Sequence, residues 1–217
     1  MERFSTVFLV AGVVFFGFSV WVMAWLPISH LRDLPDTSLD VISQKVSPEF
    51  TQLAEMFPES FKKYYPAGVT PASFEKALRR GRDTYVAEAC WHCHSQFVRP
   101  VSNEVIRFGP VSQAGEYQND LEFPHLFGTR RVGPDLIREH GVHTNDWHVA
   151  HFWNPQDVVP TSVMPRYPWF FDNADDPDKA TLNERGIAII TYVQWLGSWV
   201  TSYPATLYNL DAANGGT

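Results

Sequence analysis

An uncharged apolar segment near the N-terminus constrains this chain more strongly than any other feature. The segment runs from Phe4 to Leu26, and 18 of its 23 residues are apolar. As a helix with a rise of about 1.5 Å per residue it would span roughly 34 Å, enough to cross a hydrocarbon core about 30 Å thick. A cleaved signal peptide has a shorter apolar segment and a small-residue cleavage site, whereas this one ends in Trp25-Leu26-Pro27. The segment therefore predicts a retained single transmembrane helix, with residues 1–26 as a membrane anchor.

The rest of the chain has the composition of an acidic globular domain. The 217 residues carry a formal net charge of −7, and because Glu2 and Arg3 cancel, residues 27–217 carry all of it. A nucleic-acid-binding protein normally shows a basic surface, so nucleic acid is excluded as a partner. Eight Trp, eight Tyr and 16 Phe can bury a sizeable core, and two cysteines are too few for a disulfide-dense scaffold.

Prolines divide the chain after the membrane segment. Residues 27–70 contain five prolines, which favour short pieces, and we interpret this stretch as a connector. Within it, Ser47 followed by Pro48 predicts a short helix that ends before the next proline. A globular domain is predicted over residues 71–203, and a C-terminal tail over residues 204–217.

Two longer helices frame the predicted globular domain. Thr70-Pro71 opens the first, which runs into Cys90, and Thr181–Val200 forms the second, which is apolar on more than one face. The first carries an apolar stripe at helical spacing: Phe74, Ala77, Leu78, Gly81 and Tyr85. About 90 residues rich in Gly and Pro lie between them, too long for loop alone, and predict a short helix over Asp146–Trp153 with Asn145 as its cap. The fold class is therefore all-α with long Pro/Gly-rich loops.

The segment Cys90-Trp91-His92-Cys93-His94 is a C-x-x-C-H motif, the attachment signature of c-type haem. Two thiols at this spacing can add to the two vinyl groups of one porphyrin, and the adjacent His94 then falls under the iron. A zinc site would need more ligands than two cysteines provide, and a thioredoxin-like redox pair would need a βαβ context. A structural disulfide is possible but leaves the histidine unexplained. The motif predicts one covalently bound haem c in the domain over residues 71–203.

Covalent haem attachment also predicts the orientation in the membrane. The reaction takes place outside the cytoplasm, in the periplasm of bacteria. We therefore expect a single-pass protein of the cytoplasmic (inner) membrane, surrounded by lipid, with its N-terminus inside and residues 27–217 outside.

A methionine is the predicted sixth ligand of the iron. Met164 is the only methionine within residues 71–203, and it lies in a proline-fixed segment before the last helix. His148 and His151 are the alternative ligands. The predicted metal ligands are therefore His94 and Met164, a pair that raises the reduction potential relative to two histidines.

Further residues are predicted around the haem. The Pro134 carbonyl is expected to accept the Nδ1–H of His94 and so fix its ring. Three arginines are candidates to neutralise the haem propionates, with a solvated surface role as the alternative for each of them: Arg99, Arg130 and Arg131. Three aromatic side chains could line the pocket or belong to the ordinary core: Trp147, Tyr167 and Trp169.

Ordered motifs across residues 81–200 resemble one protein family. They read GRDTYVAEACWHCHSQFVRP, NEVIRFGPVS, GTRRVGPDL, NDWHVAHFWNP and VVPTSVMPRYPWF. With the single N-terminal span, they resemble the membrane-anchored mono-haem subunit (CcoO/FixO) of cbb-type haem–copper cytochrome c oxidases. The resemblance implies a cytochrome c fold in which Cys90 and Cys93 bind haem, His94 is proximal and Met164 is distal.

The resemblance also implies a function and partners. Such a subunit passes electrons to a catalytic haem–copper membrane subunit, and it receives them from a further cytochrome c subunit or a soluble cytochrome. The chain itself would make and break no substrate bonds, so it is not expected to be an enzyme on its own. Two alternatives stay open from the sequence: a cytochrome c subunit of a nitric oxide reductase-type complex, and a free-standing membrane-anchored electron shuttle.

Overall fold

The structure is a computed structural model that describes residues 2–34 and 36–198. The predicted end of the globular domain at residue 203, the predicted tail and the last residues of the helix predicted over Thr181–Val200 lie outside the described residues. The chain divides into two compact units between Asp36 and Thr37.

The first unit is one apolar helix. It comprises α1 (Glu2–Val20), a π-helical turn (Trp21–Trp25) and α2 (Leu26–Leu31). The stretch Phe4–Leu31 has a mean hydropathy of 2.4 and is long and apolar enough to span a membrane. Large apolar side chains are exposed on all of its faces, for example Phe8 and Met23. A helix that is apolar all round needs an apolar environment, which agrees with the predicted membrane span.

The second unit is built from short helices joined by long loops. It begins with α3 (Leu39–Ser43), α4 (Pro48–Met56), α5 (Pro58–Tyr64), α6 (Pro71–Ala87), α7 (Cys90–Cys93) and α8 (Glu104–Phe108), followed by a 3₁₀ turn (Ala114–Tyr117). It continues with α9 (Asn145–Trp153), α10 (Pro155–Val158), a 3₁₀ turn (Pro168–Phe170), the strands β1 (Phe171–Asp172) and β2 (Thr181–Leu182), and α11 (Glu184–Trp195). β1 and β2 pair antiparallel with Phe171 opposite Leu182. The predicted all-α class with long loops is confirmed, since these strands contain two residues each.

Side-chain caps explain where the early helices begin. The Ser47 hydroxyl accepts a hydrogen bond from the Phe50 backbone N–H at 3.2 Å, and the Thr70 hydroxyl accepts one from Ser73 N–H at 3.2 Å. A proline follows each cap, where its missing N–H is no loss. Both helix starts are therefore as predicted.

Two later helix starts differ from the prediction. Thr144, not Asn145, caps α9 by accepting from Trp147 N–H at 3.3 Å. The Asn145 amide instead donates to the Glu49 carbonyl, a tertiary contact that helix-start preferences cannot reveal. Likewise α11 begins at Glu184 rather than Thr181, because Thr181 and Leu182 pair with β1 and Asn183 provides the cap.

The close crossing of α6 and α11 forms the centre of the second unit. A Cβ added at Gly81 would overlap the Ala188 carbonyl and lie 2.6 Å from Tyr192 Cβ, so the two backbones approach to a distance that only glycine permits. All five residues of the predicted stripe on α6 are buried, as expected from their helical spacing. On α11, every residue from Gly186 to Trp195 is buried.

Residues after Thr37 belong to this same core. Phe50 and Leu53 of α4 and Phe61 of α5 are buried, and the Phe50 ring packs on Phe61 and Phe74 with centroids 5.0 and 5.3 Å apart. The boundary predicted at residue 70 therefore does not coincide with the division at Thr37. Prolines break this stretch into short helices, and the apolar faces of these helices pack against α6 and α11.

Glu122 is an unusual member of the core. It is fully buried, and neither carboxylate oxygen has a hydrogen-bond partner among the described residues. Burial raises the pKa of Glu122 from 4.5 to about 8; Arg82 opposes the rise, and the nearby Glu116 and Asp135 add to it. The folded protein therefore holds this proton at a pH where the unfolded chain has released it.

We expect Glu122 to make folding stability fall as pH rises from about 5 to 8. Between its unfolded and folded pKa values the unfolded chain binds fewer protons, which costs up to about 1.4 kcal/mol of stability per pH unit. In Glu122→Gln this loss should be absent, while Glu55→Gln, at an exposed position of α4, should retain it. Denaturant unfolding of the full chain in mild detergent at several pH values measures the slope. Parallel pH profiles for Glu122→Gln and the parent would contradict a buried protonated carboxyl.

Candidate haem site

The C-x-x-C-H motif lies on a separate turn of helix after α6. The first helix ends at Ala87 rather than running into Cys90, because Ala89 adopts a left-handed conformation with φ of 57° and redirects the chain. Cys90 is buried and Cys93 is exposed, and the two thiols are not joined in a disulfide. Both cysteines and the adjacent His94 are thus presented from a single turn.

The His94 ring is held from two sides. Its Nδ1 lies 3.0 Å from the Pro134 carbonyl oxygen, which can only accept, so Nδ1 carries the proton and Nε2 has a free lone pair. Gly133 lies against the ring face, where an added Cβ would be 2.7 Å from Nδ1 and 2.8 Å from Nε2. Burial lowers the pKa of His94, although the Pro134 bond opposes this effect, and the neutral ring is the form that ligates a metal.

The segment that contains Pro134 pairs with the motif through its backbone. Gly133 N–H donates to the Cys93 carbonyl at 3.0 Å, and Leu136 N–H donates to the Ser95 carbonyl at 2.9 Å. The Asp135 carboxylate accepts from Ser95 Oγ at 2.6 Å and from Phe97 N–H at 2.8 Å. Sequence reasoning missed Asp135, although an Asp after Gly-Pro is a common acceptor for backbone N–H groups in turns.

Tyr85 connects the motif to the crossing of α6 and α11. Its hydroxyl donates to the His94 carbonyl oxygen at 3.1 Å, and its ring packs on Tyr192 with centroids 5.6 Å apart. Tyr192 in turn accepts from the buried Gln96 amide at 3.1 Å. The stripe residue at the end of α6 therefore positions the backbone of the predicted proximal ligand.

The three candidate arginines have different surroundings. Arg99 forms an ion pair with Glu104 and is half-exposed, and Arg130 is exposed. Arg131 is largely buried, and its Nη2 donates to the Phe97 carbonyl at 2.9 Å and pairs with Glu104 at 3.0 Å. Its Nε and Nη1 are buried without a hydrogen-bond partner in the described part of the chain. Among the three, Arg131 has unused donors for an anionic group.

Met164 lies next to one of the two alternative ligands. Its sulfur is 3.0 Å from His151 Nε2. Burial, followed by His94 and His143, lowers the pKa of His151 to about 4. The buried His148 has its Nε2 3.9 Å from Glu139 and its ring edge-on to Trp147, with ring centroids 5.3 Å apart.

The three candidate aromatic residues differ in their burial and in what they contact. Tyr167 is buried, packs on Phe170 with centroids 5.1 Å apart, and has its pKa raised by burial and by the nearby Cys90 and Cys93. Trp169 packs edge-on against Tyr167 but is 47% exposed. Trp147 stacks on His151 at 4.4 Å between ring centroids. Tyr167 therefore lies near the cysteines, and Trp147 lies near Met164 through its contact with His151.

The residues around the motif fit the predicted haem. Among residues 2–34 and 36–198, no group of three or more His, Cys, Asp or Glu side chains is placed to hold a metal ion. His92 stacks on Trp91 and lies 3.1 Å from the Thr129 hydroxyl. The fit to haem rests on two thiols that are not joined in a disulfide, one oriented imidazole, a thioether beside His151, and two Arg131 donors that have no partner among the described residues.

Two comparisons with known proteins bear on this site. Comparison with curated protein sequences gave no match. The family model described as cytochrome c oxidase, mono-heme subunit/FixO matches residues 41–195. This match covers most of the chain, including the motif, Pro134 and Met164, and the protein therefore belongs to the FixO family of mono-haem subunits of cytochrome c oxidase.

Proposed function

We propose that this chain is a membrane-anchored, mono-haem c-type cytochrome. In this role it passes single electrons from an upstream cytochrome to the catalytic haem–copper subunit of a cbb-type oxidase. The observation that carries the proposal is the His94 ring, whose Nδ1 is fixed by Pro134 so that Nε2 is left to bind iron beside two free thiols. When bound, haem supplies an iron that gains and loses one electron at a time.

Cys90 and Cys93 would hold the haem covalently. Each thiol would form a carbon–sulfur bond with one vinyl group of the porphyrin and give its hydrogen to the neighbouring carbon, so no oxidant would be needed. The positions of the two cysteines suit this reaction because one turn of helix presents both. His94 would be the proximal ligand, with Gly133 leaving room for its ring and Pro134 fixing its orientation.

Met164 is the distal ligand in this proposal. The backbone around it is well fixed, because Met164 N–H donates to Ser162 Oγ at 3.2 Å and Tyr167 N–H donates to the Phe152 carbonyl at 2.9 Å. A thioether opposite an imidazole favours the ferrous state more than a second imidazole does, which suits an electron carrier that feeds a strong oxidant. His151 contacts the sulfur, and we assign it to holding Met164 rather than to binding the iron.

Arg131 is the arginine that we assign to a haem propionate. Its Nε and Nη1 are buried and have no partner within residues 2–34 and 36–198, whereas Arg99 is engaged with Glu104 and Arg130 lies at the surface. A charge-assisted bond to a carboxylate would satisfy both unpartnered donors. Tyr167 is proposed to line the haem pocket, and Trp169 to lie at its exposed edge.

The membrane helix gives the proposed subunit its location. Its apolar surface fits lipid or the catalytic subunit. Because haem is attached covalently outside the cytoplasm, residues 27–217 would lie in the periplasm. The partners are then the catalytic haem–copper subunit and a further cytochrome c subunit or soluble cytochrome as donor. Oxygen is the proposed terminal acceptor, because the matching family is described as part of a cytochrome c oxidase.

The distal ligand can be tested by substitution. In Met164→Ala we expect loss of the far-red charge-transfer band that a thioether gives to ferric haem, whichever group then occupies the position. Met56→Ala, which removes a partly buried methionine from α4, should retain the band. Absorption spectra of the oxidised holoproteins provide the measurement, and a band that persists in Met164→Ala would remove Met164 from the proposal.

The proposed partner can be tested on the native complex. We expect the chain, purified in mild detergent, to retain a polytopic subunit with haem and copper, and its haem to be reoxidised by oxygen within the turnover time of the complex. Composition and stopped-flow spectroscopy provide the two measurements. Purification without such a subunit would instead indicate the free-standing shuttle, and a catalytic partner that reduces nitric oxide rather than oxygen would indicate the reductase.

A further inference from the structure

Three aromatic rings stack next to Met164. Trp147 and His151 lie one helical turn apart on α9, with ring centroids 4.4 Å apart and an interplanar angle of 14°. His143, just before α9, stacks on Trp147 with ring centroids 3.7 Å apart and an interplanar angle of 20°. The stack restrains the orientation of the His151 ring, since side chains four residues apart on a helix lie one above the other.

The restrained ring presents Nε2 to the Met164 sulfur at 3.0 Å. A thioether sulfur has lone pairs and no hydrogen, so it can accept a hydrogen bond but cannot donate one. At this distance a lone pair on Nε2 would face the lone pairs of sulfur. The contact is therefore attractive only when Nε2 carries the proton.

The other ring nitrogen is consistent with this tautomer. His151 Nδ1 is buried and has no hydrogen-bond partner among the residues that the structure describes. An N–H at this position would leave a buried donor unsatisfied and would place the Nε2 lone pair against the sulfur. With the proton on Nε2, the ring instead donates to Met164.

We propose that His151 is a positioning residue that donates an Nε2–H hydrogen bond to the Met164 sulfur and thereby raises the reduction potential of the haem. This inference rests on the proposed function, in which Met164 is the distal ligand. A donor on sulfur withdraws electron density from the iron–sulfur bond, which disfavours the ferric state relative to the ferrous state. One electron moves on reduction, and the proton stays on Nε2 in both oxidation states.

The same contact orients the thioether. Methionine has three rotatable side-chain bonds and adapts readily to its surroundings, so its sulfur needs a fixed partner to keep one geometry. Ser162 fixes the backbone of Met164 at 3.2 Å, and His151 fixes the other end of the side chain. The two contacts together leave the sulfur one preferred position.

Three variants of the holoprotein separate donation from packing. His151→Phe keeps a ring that can stack on Trp147 but removes the donor, and His151→Gln replaces it with an amide N–H. His143→Phe changes the ring at the far end of the stack and serves as the matched control. Equilibrium redox titration of each full-length chain in detergent gives the potential, and the far-red ferric band reports the Met164 ligand.

We expect His151→Phe to keep the far-red band but to shift the ferrous-to-ferric ratio at fixed ambient potential about threefold to tenfold toward ferric, tenfold being about 59 mV. His151→Gln should recover at least half of the shift, and His143→Phe should match the parent. A potential of His151→Phe equal to that of the parent, or of His151→Gln equal to that of His151→Phe, would overturn the proposal.

A measurement on the unaltered chain covers the case in which His151→Phe fails to fold. In the diamagnetic ferrous protein with ¹⁵N-labelled histidine, the nitrogen shifts of His151 should show Nε2 protonated and Nδ1 bare. The reverse assignment would refute the hydrogen bond. Failure of the proposed function is distinguishable, because the parent protein would then lack the far-red band whatever the state of His151.

Discussion

Backbone hydrogen bonds between the motif and the segment around Pro134 provide the constraint on which the site depends. They join residues 92–96 to residues 126–136, and they bring the Pro134 carbonyl to the His94 ring. Gly133 makes this approach possible, because any Cβ there would collide with the ring. The orientation of the predicted proximal ligand is therefore set by the backbone of these two segments.

Buried carboxylates hold the long loops that flank this pairing. Asp135 accepts from Ser95 and Phe97, Glu104 pairs with Arg99 and Arg131, and Glu116 pairs with Arg138 through two hydrogen bonds. These loops also bury a small apolar cluster of Val98, Tyr117 and Ile137, and the charge-assisted hydrogen bonds stabilise the loops in addition to it. Arg131 connects this network to the segment around Pro134, since its Nη2 also lies 3.7 Å from the Asp135 carboxylate.

Local patterns predicted much of this architecture. The stripe from Phe74 to Tyr85, the Ser47 and Thr70 caps and the one-turn spacing of the motif all depend on contacts between near neighbours in sequence. Other features depend on distant segments, so local patterns could not show them. They are the packing of residues 37–70, the contact of Asn145 with Glu49, and the pairing with β1 that moves the start of α11 to Glu184. The contact between His151 and Met164 falls between these cases. Both residues were candidates, but their side-by-side placement depends on how the segment before α11 packs against the end of α9.

The two units contribute different features. The apolar helix over Phe4–Leu31 is long and apolar enough to span a membrane, and the close crossing of α6 and α11 at Gly81 gives a tightly packed platform for the motif. Tyr85 connects the platform to the His94 backbone, and α9 brings His151 and Met164 to the same region. Tight packing of this kind suits the proposed electron transfer. A site that keeps its geometry in both oxidation states needs little energy to rearrange when an electron arrives.

The proposed function depends above all on one haem bound covalently through Cys90 and Cys93. Intact mass spectrometry of the denatured full-length chain, followed by digestion, measures this attachment. We expect a single species heavier than the polypeptide by one haem, with the added mass on the peptide that contains both cysteines. A chain with the mass of the bare polypeptide, from which all pigment separates on denaturation, would contradict it.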